Sequence, residues 1–156
     1  FLVNTPECLM AEGLADLGVQ ASIGDGWGTW AAEILGDLGL RFDGDLAERL
    51  AVAAAPLNRV RQDAAVMLHD RGAGTDEVVA YLQRWSLVSA ERAAQQIRFL
   101  THPLWRAYIS TYVEGFDLLS RWLARRPAGQ PVAERFLRLL DEPLTPALVA
   151  DELLAA

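Results

Sequence analysis

Apolar residues recur along this chain at the three- and four-residue intervals of helices, and no stretch carries a strand signal. Leu9, Met10, Leu14 and Leu17 mark the first helix. Thr5 suits its N-cap, Pro6 its first position and Glu7 the positive end of its dipole, and Gly18 is the expected stop. After a loop at 22–26, a short helix is expected over 27–38, closed by Gly39. Residues 45–71 are Ala-rich and helical in pattern, and Pro56 predicts a kink or break near Ala54 and Ala55. Gly72-Ala73-Gly74 ends that segment. Thr75 then caps a helix bearing Val78, Val79 and Leu82, and Ser89 starts another that runs to Leu100. His102-Pro103 breaks the pattern before a longer helix over 104–124. Pro127 to Pro131 forms a surface linker, and two small helices, 132–140 and 146–154, finish the chain. The prediction is one all-α domain over 1–156, orthogonal or bundle-like, with about seven to nine helices.

Composition narrows the class. A chain of 156 residues, 52% hydrophobic and 22% charged, is large enough for a real core and typical of folded proteins. No apolar run approaches the ~20 residues of a membrane span. Residues 1–4 lack the basic start of a signal peptide, and a chain opening on Phe1 reads as the C-terminal part of a longer polypeptide. A cytoplasmic setting is the favoured reading. The net charge of −7 argues against nucleic acid as a partner. All 14 basic residues are arginines, which removes lysine Schiff-base chemistry. Arg125, Arg126, Arg135 and Arg138 read as a solvated basic patch. Cys8, the one cysteine, cannot form an internal disulfide and reads as a small buried hydrophobe. Glycines 24, 26 and 28 read as a turn, because no strand precedes them and no lysine follows. The five tryptophans, at 27, 30, 85, 105 and 122, fit core packing.

Glu12 and Asp16 are the first candidates for chemistry. Four residues apart on a helix, they share a face about one turn apart. Like charges at that spacing repel unless a cation, a histidine or an arginine lies between them, and on a mostly apolar helix they would need partners. The two histidines show no ligand spacing: His69 sits near a helix C-terminus and His102 at a helix break, both structural positions.

The string Asn4-Thr5-Pro6-Glu7-Cys8-Leu9, followed by Glu12-Gly13-Leu14-Ala15-Asp16, resembles a segment of a bacterial family of all-helical, gluzincin-like zinc metallopeptidases. In that family it follows the helix that carries two zinc-binding histidines. The resemblance implies that Glu12 is the metal-binding carboxylate and Asp16 its supporting neighbour, with Glu7 a weaker ligand candidate. It implies zinc as cofactor and a peptide or small amide as substrate. The stretch from His102 to Gly115 is similar to a late helix of the family, which implies an oxyanion-stabilising role for Tyr112 and a substrate-binding role for Arg106 or Tyr108. The chain has no His-Glu-x-x-His helix, so the resemblance implies a site completed by the remainder of the parent polypeptide and no activity for this chain alone.

Two expectations follow. One is the C-terminal helical portion of a zinc-dependent metallopeptidase, supplying Glu12 and part of the substrate cleft. The other is a non-catalytic helical scaffold, ligand-binding or oligomerisation domain, in which Glu12 and Asp16 pair with Arg59, Arg61 or Arg98. What the carboxylates face discriminates them.

Overall fold

A computed structural model describes residues 5–155; residues 1–4, whose uncharged start bears on the signal-peptide reading, lie outside the described residues. Every regular element among the described residues is helical, and no strand occurs there. The order is α1 (Pro6–Ser22), α2 (Trp27–Asp37), α3 (Gly44–Ala54), a 3-10 turn (Ala55–Arg59), α4 (Val60–His69), α5 (Thr75–Trp85), α6 (Ala90–Thr101), α7 (Ile109–Ala124), α8 (Val132–Asp141) and α9 (Pro146–Ala155). The all-α reading with seven to nine helices therefore holds among the described residues. None of these helices is long and apolar enough to cross a membrane.

The local signals account for most boundaries. Pro6 opens α1, and Pro56 falls in the 3-10 turn that divides α3 from α4. Asp43 caps α3 by accepting from the Leu46 amide at 2.9 Å, and Ser89 caps α6 by accepting from the Arg92 amide at 3.2 Å. Two boundaries differ from expectation. Helix α1 runs past Gly18 to Ser22, because Leu17 and Ala21 on either side of that glycine are buried against the rest of the fold. Helix α7 begins at Ile109, five residues later than the pattern suggests. Residues 102–108 form successive turns in which the His102 carbonyl accepts from both Trp105 and Arg106, and Ser110 and Thr111 turn their hydroxyls back onto the Ala107 and Tyr108 carbonyls.

Helices α1 and α7 form the spine. Gly13 and Gly115 meet at their crossing, where a Cβ on Gly13 would lie 2.5 Å from the Gly115 carbonyl oxygen. One cluster of buried side chains joins Val60, Ala64, Val78, Leu82, Ile97 and Leu100 to Ile109 at the start of α7. A second gathers Leu17, Leu119, Trp122, Phe136, Val149 and Leu153 around its end. Helix α7 thus belongs to both cores. Cys8 is fully buried, as a small hydrophobe would be.

The α2–α3 pair is anchored differently. Its two buried residues are Gly28 and Gly44, which bring the helices into backbone contact. The Glu48 carboxylate caps α2 by accepting from the Gly26 amide at 2.7 Å. Trp30, Ile34 and Leu38 along α2 and Leu46 and Leu50 along α3 remain exposed. Core packing therefore fails as a reading for Trp30, and for Trp85, which is 49% exposed.

The basic patch is also not what composition suggests. Arg135 is 8% exposed and lies 4.0 Å over the Trp122 ring. Arg138 forks onto both Glu142 (2.8 and 2.9 Å) and Glu152 (2.9 and 3.2 Å), while Trp122 donates its indole N–H to Glu152 at 2.8 Å. These arginines cover a buried tryptophan and pair with carboxylates rather than facing open water.

Candidate functional site

A cleft of about 710 Å³ opens between α1, the α3–α4 junction, the α5–α6 loop, α6 and α7. Each element delivers a polar side chain to it. Asp16 comes from α1, Arg59 and Arg61 from the α3–α4 break, Ser86 from the end of α5, Gln96 from α6, and Tyr112 and Asp117 from α7. The apolar remainder includes Leu57, Val88, Ile109, Val113 and Phe116. The volume and mixed lining are those of a small-molecule pocket.

Charge in the cleft is unevenly compensated. Arg59 is ion-paired with Asp117. Arg61, by contrast, makes no ion pair among the described residues and instead lies 5.6 Å over the Phe99 ring. Burial pulls its guanidinium below its ordinary range, opposed by Tyr112. Asp16 is exposed to solvent on one side, and its carboxyl is pushed up first by burial and then by the Glu12 charge. Tyr112 lines the same cleft. Burial and the Glu12 carboxylate push its phenol up, while Arg61 pulls it back.

Three of the lining side chains carry buried polar atoms with no hydrogen-bond partner among the described residues: Arg61 Nε, Ser86 Oγ and Gln96 Oε1. An unsatisfied buried polar group costs about 1–3 kcal/mol. Each of these atoms is itself covered by protein, so the three lie in the packing behind the cleft wall and do not open into the cavity.

The sequence-derived residues divide among several places. Asp16 and Tyr112 line the cleft. Glu12 stands beside it on α1 and accepts a 2.5 Å hydrogen bond from the Tyr108 hydroxyl, which raises the Tyr108 phenol well above its ordinary value. Arg106 is elsewhere: it is exposed and borders a smaller cleft of about 360 Å³ with Pro6, Leu9 and Thr111. The structure thus brings Glu12, Asp16, Tyr108 and Tyr112 together and does not bring Arg106 to them. Neither Glu12 nor Asp16 pairs with Arg59, Arg61 or Arg98. Glu7 lies in the first turn of α1, fully solvated.

The histidines take structural positions. His69 Nε2 contacts the Leu100 carbonyl at 2.8 Å, so that nitrogen carries the proton and ties α4 to α6. His102 Nδ1 accepts from the Leu104 amide at 3.2 Å. Neither lines the large cleft. Among the described residues no group of three His, Cys, Asp or Glu could hold a metal ion. Zinc takes three or four such donors, so Glu12 and Asp16 do not fit it by themselves and no step is routed through a metal.

Arg61, Ser86 and Gln96 were not legible as a site, because they lie far apart in sequence. A weak signal did exist: Gln96 shares a helical face with Ala93 and Leu100, and Arg61 one with Ala64 and Ala65. Polar residues on apolar stripes need partners. Compared with known protein families, with curated proteins and with solved structures, the chain matches none.

Proposed function

We propose that this chain is a non-catalytic helical domain that binds a small polar molecule in the cleft bordered by Asp16, Arg61, Ser86, Gln96 and Tyr112. The observation that carries the reading is the convergence of charged and polar side chains from α1, α4, the α5–α6 loop, α6 and α7 on one cavity of about 710 Å³, in which Arg61 makes no ion pair among the described residues. A ligand with a charged or polar group finds complementary partners there. The lining set offers recognition groups but no nucleophile–base pair, since neither histidine borders Ser86.

The test is an amide-resolved NMR screen of a small-molecule panel containing acids, amines, zwitterions, sugars and neutral amides. Binding should shift resonances of residues 57–61, 86–96 and 112–117, and the shifts should vanish in Ala55→Trp, which fills the cleft mouth from an exposed position. A panel that leaves those residues unmoved overturns the reading.

The gluzincin-like peptidase is the second reading, favoured by one observation. Glu12 and Asp16 stand beside Tyr112, the residue to which the family resemblance gives an oxyanion role. It requires imidazole ligands from outside this chain's described residues. Its test is metal content of the longer polypeptide, wild type beside Glu12→Gln. Near-stoichiometric zinc lost in a folded variant supports it, and metal-free protein removes it.

A further inference from the structure

The cleft carries two opposite charges that do not neutralise each other. Among the described residues Arg61 has no carboxylate partner and Asp16 has no cationic partner, although both border the same cavity. Tyr112 lines the same cavity and lies near enough to feel both. The second arginine of the cleft is already spent on Asp117. Asp16 also repels Glu12 one turn away, and Glu12 itself is satisfied by the Tyr108 hydroxyl. A cation placed against Asp16 therefore relieves an existing repulsion, and an anion against Arg61 finds the cleft's one guanidinium without an ion pair. The same cavity also has apolar lining, from Ile109, Val113 and Phe116 on successive turns of α7 and from Val88 in the α5–α6 loop.

The geometry points to a small zwitterion with an apolar body, a large apolar amino acid or a short apolar peptide, held with its carboxylate on Arg61 and its ammonium toward Asp16. This rests on the ligand-binding reading of the same cleft. The guanidinium fork matches a carboxylate through two parallel hydrogen bonds. The Ser86 and Gln96 side chains add to the polar part of the same lining. The volume of about 710 Å³ accommodates more than a minimal amino acid, which is why the apolar body is part of the assignment.

The experiment is NMR titration of the full chain with L-phenylalanine, L-leucine and leucyl-leucine, beside N-acetyl-leucine, leucinamide and N-acetyl-leucinamide. These controls keep the carboxylate alone, the ammonium alone and neither. At least one zwitterion is expected to bind more than tenfold tighter than each single-charge analogue. Arg61→Met should weaken the zwitterion more than tenfold while leaving leucinamide unchanged, and Asp16→Asn should do the reverse for N-acetyl-leucine. Arg61→Lys, which keeps the charge and loses the fork, guards against a folding defect and should fall between. An analogue lacking one charge that binds as tightly as the zwitterion overturns the assignment. So does cleft binding by a sugar or neutral amide with no zwitterion bound, although the cleft then remains a binding site. Silence across all compounds removes both readings. The amino acid and peptide arms decide between the two sources of the zwitterion.

Discussion

Gly13 of α1 and Gly115 of α7 pack backbone against backbone: a side chain on Gly13 would meet the Gly115 main chain, and one on Gly115 would meet the Leu9 carbonyl and then the Gly13 main chain. Because the atoms in the way are main chain, they cannot swing aside as a flexible side chain would. Gly115→Ala gains up to ~1 kcal/mol of helix propensity and loses more by forcing the spine apart, for a net cost of about 2–3 kcal/mol. Chemical denaturation of the variant should show a lower midpoint with an unchanged slope. Gly18→Ala is the control: nothing lies near its absent Cβ, so that change should stabilise.

The two cores respond to truncation at different places. Leu82 is fully buried in the first cluster, and Leu82→Ala should cost about 2–5 kcal/mol. Because α7 runs through both clusters, the loss should appear as one cooperative transition in which tryptophan fluorescence and circular dichroism coincide. Separate transitions would mean that α7 does not couple the halves.

Acid should weaken the second core first. The Arg138 hydrogen bonds, followed by that from Trp122, hold the Glu152 carboxyl below its ordinary value, while burial opposes them. A depressed carboxyl contributes stability that is present above its unfolded value of about 4.3 and is lost as pH falls through the folded one. Glu152 is over a third exposed, so screening keeps the contribution near or below ~1 kcal/mol. Glu152→Gln should flatten the acid limb of a stability–pH curve, and Trp122→Phe should flatten it less.

Alkali should destabilise through the tyrosines. Tyr108 is raised mainly by its hydrogen bond to Glu12, and Tyr81 and Tyr112 mainly by burial. A raised phenol contributes stability that is complete below the unfolded value of about 10 and is lost as pH climbs toward the folded one. An ultraviolet titration should find phenol ionisation delayed beyond pH ~10 and accompanied by unfolding. Tyr108→Phe should reduce that alkaline sensitivity.

Most of the fold was legible because its signals are local. Pro6, Pro56 and Ser89 act within a turn of themselves, and each marks a boundary where the structure has one. The exceptions are tertiary. Gly18 does not end α1, because Leu17 and Ala21 are held by partners more than a hundred residues away. Arg135 and Arg138 look solvated from composition alone, since Trp122 and Glu152, which make them structural, come from other helices. The candidate site was half legible for the same reason. Asp16 and Tyr112 stood out by spacing and resemblance, whereas Arg61, Ser86 and Gln96 gain meaning only when the helices bring them to one cavity.

The shallow anchoring of α2 and α3 gives the chain a graded stability. A segment whose buried residues are two glycines opens at little cost to either core, so its amides should exchange with solvent through local opening while those of α7 wait for global unfolding. Val52 and Ala54, near the C-terminal end of α3, form part of the cleft wall. The least protected part of the fold therefore borders the cavity, and an occupied cleft would declare itself by slowing hydrogen exchange in α3 before anything changes in the spine.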